Sequence, residues 1–225
     1  MLSEKRIVIF IGNFGSGKTE LAINYAHLAS EGREPISLVD LDNVSPLFRT
    51  REVHGKLRTM GVKLIAPEGI SNTDLPVLPA EVYAPLQDPT ARVILDVGGD
   101  DWGARALGPF QRYFRSGDYE AYFVVNTRRP FTRDVAGIIR AVGEVERAAR
   151  IKATALVANT NLGDLTEGRH ILEGLAVVRE AAAALGLPVA FVGVRRDLVD
   201  TVREITGLIG IPVFPVDIYM LPPWK

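Results

Sequence analysis

Hydrophobic residues in this chain occur in short runs, separated by longer stretches in which apolar positions recur with helical spacing. Runs of 5 to 8 apolar residues that are rich in β-branched side chains are typical of strands buried on both faces. In some of these runs an acid and glycines follow the apolar residues. Six such runs occupy residues 6–11, 35–42, 92–101, 120–126, 152–159 and 188–194. The segment that starts at residue 211 has too many prolines for a helix and leaves room for one last short strand.

The stretches between the runs predict helices. The residues that follow Lys18 have a helical pattern that stops at Gly32, and a second pattern runs from Thr166 to Leu185 and closes with Gly-Leu-Pro. After Phe131, apolar residues stand at helical spacing: Val135, Ile138, Ile139, Val142 and Val145. Residues 66–91 interrupt the alternation because they contain five prolines, and only 79–86 favour a short helix there.

Alternating strands and helices predict an α/β protein of three layers, with a mostly parallel, twisted sheet covered by helices on both faces. We expect a single P-loop nucleotide-binding domain over residues 1–225, with 66–91 as an irregular insertion. In such sheets, ligands bind beyond the carboxyl ends of the strands.

Composition excludes several classes of function. The net charge of −1 over 225 residues gives no basic footprint, so no nucleic-acid partner is expected. The absence of cysteine excludes disulfides, iron–sulfur clusters, thiolate zinc sites and a cysteine nucleophile. The first apolar run is too short for a signal peptide, and no segment is long enough to anchor the chain in a membrane, which makes a cytoplasmic location the expectation.

The strongest motif is the P-loop pattern G-x-x-x-x-G-K-[ST], which Gly12, Gly17, Lys18 and Thr19 complete between a predicted strand and a predicted helix. Its glycines let successive N–H groups point at phosphates, while the lysine reaches the β- and γ-phosphates and the threonine hydroxyl binds Mg²⁺. The whole stretch is predicted to bind the nucleotide: Gly12, Asn13, Phe14, Gly15, Ser16, Gly17, Lys18, Thr19 and Glu20.

Acidic residues end two of the predicted strands. Asp96 begins a D-x-x-G pattern, whose glycine N–H can contact a γ-phosphate. Asp40 and Asp42 end the strand at 35–42, and alternation along a strand puts both carboxylates on one side. These acids are candidates for Mg²⁺ binding and for orienting the attacking water, although a polar strand end that caps the next helix is the alternative for each strand.

The combination of "GNFGSGKTELAINYA", "VDLDNVSPLFRTRE" and "ILDVGGDD" resembles the SIMIBI class of P-loop NTPases. More narrowly, it resembles the CobQ/CobB/MinD/ParA nucleotide-binding superfamily, and within it a group of bacterial ATP-binding proteins. The resemblance extends from the first strand to at least residue 160. It implies that Asp42 positions the attacking water and that Asp40 and Asp96 lie near the metal.

The resemblance also implies the contacts to the base. The asparagine with which these relatives bind adenine corresponds to Asn159, whose amide can match a donor and an acceptor, and the loop that contains Arg195 would close over the base. A strand-end cap is the alternative role of Asn159. GTP recognition calls for N-K-x-D, of which the residues from Asn159 onward supply only the asparagine, so ATP is preferred.

One position departs from the ParA/MinD pattern. These relatives carry a lysine directly after the first glycine of the loop, which reaches the nucleotide of a partner subunit, whereas this chain has Asn13. The resemblance therefore allows a homodimer, but this chain lacks the lysine that is the signature of such dimers. The C-terminal membrane-binding helix of MinD is also missing.

Four arginines give a weaker signal. Arg49 and Arg51 follow the Asp40–Asp42 pair and could contact charged phosphate groups. Arg128 and Arg129, at another strand end, could bind an anionic substrate or a partner. For all four, a solvated loop is the alternative.

The sequence thus predicts a Mg²⁺-dependent ATP-binding protein, with slow ATP hydrolysis by Lys18 and Asp42 that switches a protein partner. The alternatives are a ligase or kinase that acts on a small acid, or a nucleotide sensor that does not hydrolyse ATP.

Overall fold

A computed structural model describes residues 2–32, 35–41, 50–66, 80–99, 101–114, 117–208 and 210–220. The described residues form an eight-stranded parallel sheet, in the order β3-β2-β4-β1-β5-β6-β7-β8. Its strands are β1 (Ile7–Ile11), β2 (Ile36–Leu41), β3 (Val62–Ile65), β4 (Arg92–Val97), β5 (Tyr119–Val125), β6 (Ala155–Ala158), β7 (Val189–Arg195) and β8 (Val213–Val216).

Helices connect the strands. They are α1 (Lys18–Ser30), α2 (Thr50–Thr59), α3 (Tyr83–Gln87), α4 (Asp101–Arg105), α5 (Val135–Ala149), α6 (Gly168–Leu185) and α7 (Val199–Leu208). Short 3-10 helices add Ala80–Val82, Gly108–Tyr113, Pro130–Thr132 and Arg196–Leu198. All neighbouring strands are parallel, so their carboxyl ends lie along one edge of the sheet, which we call the carboxyl edge.

Two hydrophobic cores explain why the apolar runs are continuous. In β1, Ile7, Ile9 and Ile11 face one core while Val8 and Phe10 face the other, because successive side chains of a strand point to opposite faces. The apolar sides of α5, α6 and α7 pack into the first core, and those of α1 and α2 pack into the second. The sheet is thus covered on both faces, as the sequence predicts.

The predicted strands and the helices α1, α5 and α6 are confirmed with small changes at their ends. The hydrophobic pattern did not predict α2, α4, α7 or the edge strand β3. Within 66–91, residues 67–79 lie outside the described part, and the short helix expected at 79–86 is confirmed as a 3-10 helix followed by α3. The Arg6 guanidinium donates to the carbonyls of Pro85, Leu86 and Ala91.

Candidate functional site

The loop between β1 and α1 has the backbone conformation that its glycines allow. Gly12, Gly15 and Gly17 have φ values of 138°, 73° and 88°, in the region that side chains with a Cβ rarely adopt. Gly17 is the residue from which α1 starts, so Lys18 and Thr19 are its first residues. The loop therefore curls around the positive end of a 13-residue helix, where N–H groups have no partner within the helix.

Lys18 lies along this loop. Its side chain is 6% exposed, and its Nζ donates a hydrogen bond of 3.2 Å to the Asn13 carbonyl, which also accepts from Ser16 N. Two buried polar atoms of the loop, Asn13 Oδ1 and Ser16 Oγ, form no hydrogen bond among the described residues. A cation and unsatisfied polar atoms around a curled backbone are suited to a polar, anionic ligand.

Side chains from the ends of β5 and β6 hold the carbonyls of the loop. Asn159 Nδ2 donates to the Ser16 carbonyl at 2.7 Å, and Arg129 Nε donates to the Gly15 carbonyl at 2.9 Å. Asn126 Nδ2 lies 3.5 Å from the same Gly15 oxygen. Two successive carbonyls are therefore engaged from outside the loop, which fixes the peptide planes that also carry its N–H groups.

Asn126 is a buried residue of the site that sequence reasoning missed. Its Oδ1 accepts hydrogen bonds from the N–H groups of Arg128 and Asn161, and its Nδ2 donates to the Asn161 carbonyl. It thereby joins the loops that follow β5 and β6 next to the P-loop. The available signal was its position, since an asparagine directly after a buried strand resembles Asn159.

Asp40 and Asp96 are neighbours at the carboxyl edge. They are paired in register on the adjacent strands β2 and β4, and Asp96 is 3% exposed. Gly99 packs against the P-loop: a Cβ on it would lie 2.4 Å from Phe14 N, so the D-x-x-G segment touches the loop directly. Asp42 lies outside the described residues.

The donor set around the loop suits a hard cation. The Thr19 hydroxyl and the carboxylates of Asp40 and Asp96 are oxygen ligands of the kind that Mg²⁺ prefers. No cluster of three or more His, Cys, Asp or Glu residues occurs in the described part of the chain. Mg²⁺ needs only one or two protein ligands when phosphate oxygens and water molecules complete its coordination shell.

The carboxylate of Glu20, a residue predicted to bind nucleotide, is bonded to the C-terminal segment. Its carboxylate accepts hydrogen bonds from the backbone N–H groups of Tyr219 and Met220, at 2.6 to 3.1 Å. Burial raises the pKa of this carboxyl above its ordinary value, and these two hydrogen bonds oppose that rise. Glu20 therefore attaches the C-terminal segment to α1.

The residues predicted to contact the base have further contacts in the structure. Asn159 is 7% exposed, and one N–H of its amide donates to the Ser16 carbonyl of the P-loop. Arg195 forms an ion pair with Asp197 and donates to the Gly163 carbonyl at 2.9 Å, which ties the end of β7 to the loop after β6. The ion pair raises the pKa of Arg195 and lowers that of Asp197.

The candidate arginines are separated by the structure. Arg128 forms an ion pair with Glu173 of α6, away from the loop, whereas Arg129 contacts Gly15. Arg49 lies outside the described residues, as does the side chain of Arg51. Of the nucleotide-binding residues predicted in the loop, Phe14 is the most exposed, at 66%.

Comparison with solved structures identifies the fold. The chain superposes on the cell division protein FtsY of Thermotoga maritima with a TM-score of 0.54 and 17% identity, over 84% of this chain and 61% of that one. Chloroplast FtsY of Physcomitrella patens gives 0.58 and 17%, over 86% and 60% of the two chains. FlhF, solved in complex with GTP and Mg²⁺, gives 0.54 and 11%, over 85% and 66%.

The chain has the fold of SIMIBI-class P-loop proteins. At these identities the likeness concerns the fold alone. The chain spans about three fifths of the length of the two FtsY structures, as the coverages of 61% and 60% show. No family model and no curated protein sequence matches it. None of the described helices of this SIMIBI fold is long and apolar enough to cross a membrane.

Proposed function

We propose that this chain is a Mg²⁺-dependent nucleoside triphosphate-binding protein, in which slow hydrolysis switches the binding of a protein partner. The observation that carries the proposal is the loop from Gly12 to Thr19. Its glycines adopt positive φ values, its carbonyls accept hydrogen bonds from Asn159 and Arg129, and it opens onto the start of α1.

Phosphate binding follows from this arrangement. With the carbonyls of Gly15 and Ser16 engaged from outside, the N–H groups of the loop are available to phosphate oxygens. Lys18 Nζ would exchange its hydrogen bond with the Asn13 carbonyl for one with the β- or γ-phosphate. That exchange is favourable because it replaces a bond from the ammonium to a neutral carbonyl with one in which both the donor and the acceptor are charged.

Thr19, Asp40 and Asp96 would hold Mg²⁺, which neutralises charge on the phosphates when it is bound. Asp42 would orient the attacking water beside them. The pairing of Asp40 with Asp96 on neighbouring strands supports this assignment, since it places the Asp40 carboxylate beside Asp96 at the carboxyl edge.

The switch would act through the segments that follow β2 and β4. Gly99 supports this because it packs against the backbone of Asn13 and Phe14, so a phosphate bound in the loop lies beside the D-x-x-G segment. A triphosphate and a diphosphate would hold that segment differently, which is how nucleotide switches change their binding surface.

ATP is the nucleotide that we propose. The position at which N-K-x-D carries its aspartate is Leu162, which is 41% exposed and cannot accept the hydrogen bonds of a guanine edge. The similar fold of FlhF was solved with GTP, so both purine nucleotides belong in the test.

Hydrolysis by the purified protein tests the proposal. We expect Mg²⁺-dependent release of phosphate from ATP, faster than from GTP, and a loss of about 100-fold or more in Asp42→Ala with nucleotide binding retained. The matched control is Asp88→Ala, an exposed acid at the opposite edge of the sheet. Binding without turnover would indicate a sensor, and turnover that requires a small acidic acceptor would indicate a ligase or kinase.

A further inference from the structure

We propose that Arg129 is a further nucleotide-contacting residue, which supplies a second positive charge, beside that of Lys18, to the phosphates of the nucleotide. The inference rests on the proposed function, because it assigns an additional group to the same site. It concerns an arginine outside the P-loop motif, on the loop between β5 and α5.

The position of Arg129 is defined by two observations. Its Nε donates a hydrogen bond of 2.9 Å to the Gly15 carbonyl, across 114 positions of the sequence. A Cβ on Gly15 would lie 2.9 Å from Nε and 3.2 Å from Cζ, so the guanidinium packs directly on the glycine. The side chain is therefore fixed on the phosphate loop itself.

The charge of Arg129 is not used by a carboxylate within the described part of the chain. Neighbouring arginines are paired: Arg128 with Glu173, Arg133 with Asp134, and Arg195 with Asp197. Among the described residues, Arg129 has one hydrogen-bond partner, the Gly15 carbonyl, and Arg129 is exposed. A guanidinium has five N–H donors, so four remain available after this bond.

Phosphate oxygens are the acceptors that match those donors. Arginine binds phosphate through two parallel N–H groups, and its charge persists at any physiological pH. Because Nε is bound to the Gly15 carbonyl, the two terminal nitrogens of the guanidinium are the ones that can donate to a phosphate. The loop contributes only one other cation, Lys18, since Asn13 and Phe14 are uncharged.

The test separates the charge of Arg129 from its hydrogen bond to Gly15. Glutamine can donate to the Gly15 carbonyl but carries no charge, whereas lysine keeps the charge, so the variants are Arg129→Gln and Arg129→Lys, with Arg128→Gln as the matched control. Calorimetry would measure binding of the non-hydrolysable β,γ-imido triphosphate and of the diphosphate, using the base that the wild-type protein prefers, at 0.1 and 1 M salt.

We expect Arg129→Gln to weaken triphosphate binding by about tenfold and diphosphate binding by less, because the attraction grows with the charge of the ligand. The deficit shrinks at 1 M salt, where the Debye length is about 3 Å. Arg129→Lys keeps the charge but not the paired N–H groups, so its affinity should lie between those of Arg129→Gln and the wild type. Arg128→Gln should bind both nucleotides as the wild type does.

Wild-type affinity in Arg129→Gln would overturn the inference, as would an equal, salt-independent loss for both nucleotides, which would limit Arg129 to holding the loop. Absence of any nucleotide binding by the wild-type protein would instead overturn the proposed function. Thermal unfolding of each variant checks that the exposed substitution has left the fold intact.

Discussion

The side-chain amide of Asn159 donates a hydrogen bond of 2.7 Å to the main-chain carbonyl of Ser16, which stands 143 positions earlier in the chain. This contact joins the end of β6 to the P-loop, although β5 separates β6 from β1 in the sheet. The loop is thus held by the sheet as a whole, and its conformation depends on strands that lie far from it in sequence.

Asn159→Ala should therefore lower both stability and nucleotide affinity. The variant removes a buried hydrogen bond and leaves the Ser16 carbonyl unsatisfied, which we expect to cost about 1–2 kcal/mol in the free energy of unfolding. Asn159→Asp should cost more, since it sets a carboxylate oxygen against the carbonyl. Denaturant unfolding and a nucleotide titration measure the two effects, and an Asp variant equal to wild type in both would contradict this role.

A second prediction concerns the space beside Gly17. Gly17→Ala adds a Cβ at 2.3 Å from Asn159 Nδ2 on a residue with φ 88°. Gly117→Ala is the matched control, because Gly117 has φ 86° and nothing within 4 Å of the added atom. Both variants should lose about 1–2 kcal/mol from left-handed strain.

Only Gly17→Ala should lose more than this and bind nucleotide weakly, because it alone displaces Asn159. Unfolding by denaturant gives the first quantity and a titration gives the second. Equal behaviour of the two variants would show that the contact between Gly17 and Asn159 has no role in shaping the loop.

Much of the fold follows from hydrophobic periodicity, but short amphipathic elements do not. The strand β3 has only four residues, Val62–Ile65, and among the α2 side chains that the structure describes only Val53 and Leu57 are buried, so neither element produces a long periodic signal. Both become stable by packing at the edge of a sheet whose other strands are already buried. Local sequence could not supply that information.

The candidate site, like the fold, has one part that the sequence predicts and another that it does not. The P-loop pattern locates the loop and the start of α1, because those residues are adjacent in sequence. The contacts of Arg129 and Asn126 with Gly15 depend on β5 lying next to β1, which no local pattern states. The bonds of Glu20 to Tyr219 and Met220 could not be predicted either, because those residues stand 199 and 200 positions later in the chain.

The partly buried carboxyl of Glu20 predicts a pH dependence of stability. Burial raises its pKa in the folded state above the value of 4.5, so the folded protein binds the proton more tightly than the unfolded chain. Stability from this group is therefore greatest below pH 4.5 and is lost as the pH rises through the folded-state pKa. Glu20→Gln cannot titrate and lacks this loss.

The free energy of unfolding of wild type minus that of Glu20→Gln should thus fall as the pH rises from about 4.5 to 8. Glu20→Gln keeps an oxygen for the N–H groups of Tyr219 and Met220, and Glu20→Ala keeps none, so the alanine variant should be the less stable at pH 8. A difference that increases with pH would mean that the carboxylate is stabilising in its charged form.

Asp96→Asn tests the metal assignment. The amide has nearly the same shape as the carboxylate but no charge, so Mg²⁺ should strengthen triphosphate binding about 10–100-fold less in the variant than in the wild type. In EDTA the two proteins should bind alike. Asp88→Asn, an exposed acid, is the control. An undiminished Mg²⁺ effect in Asp96→Asn would remove Asp96 from the site.

The central claim is that the loop from Gly12 to Thr19 binds a nucleoside triphosphate, and a calorimetric titration of Lys18→Ala against wild type tests it most directly. Lys63→Ala, which removes an exposed lysine of β3, controls for the change in net charge. With ATP or GTP and Mg²⁺, we predict saturable binding by wild type and Lys63→Ala, and a loss of about 100-fold or more in Lys18→Ala. Wild-type affinity in Lys18→Ala, or no binding by the wild-type protein, would contradict the claim.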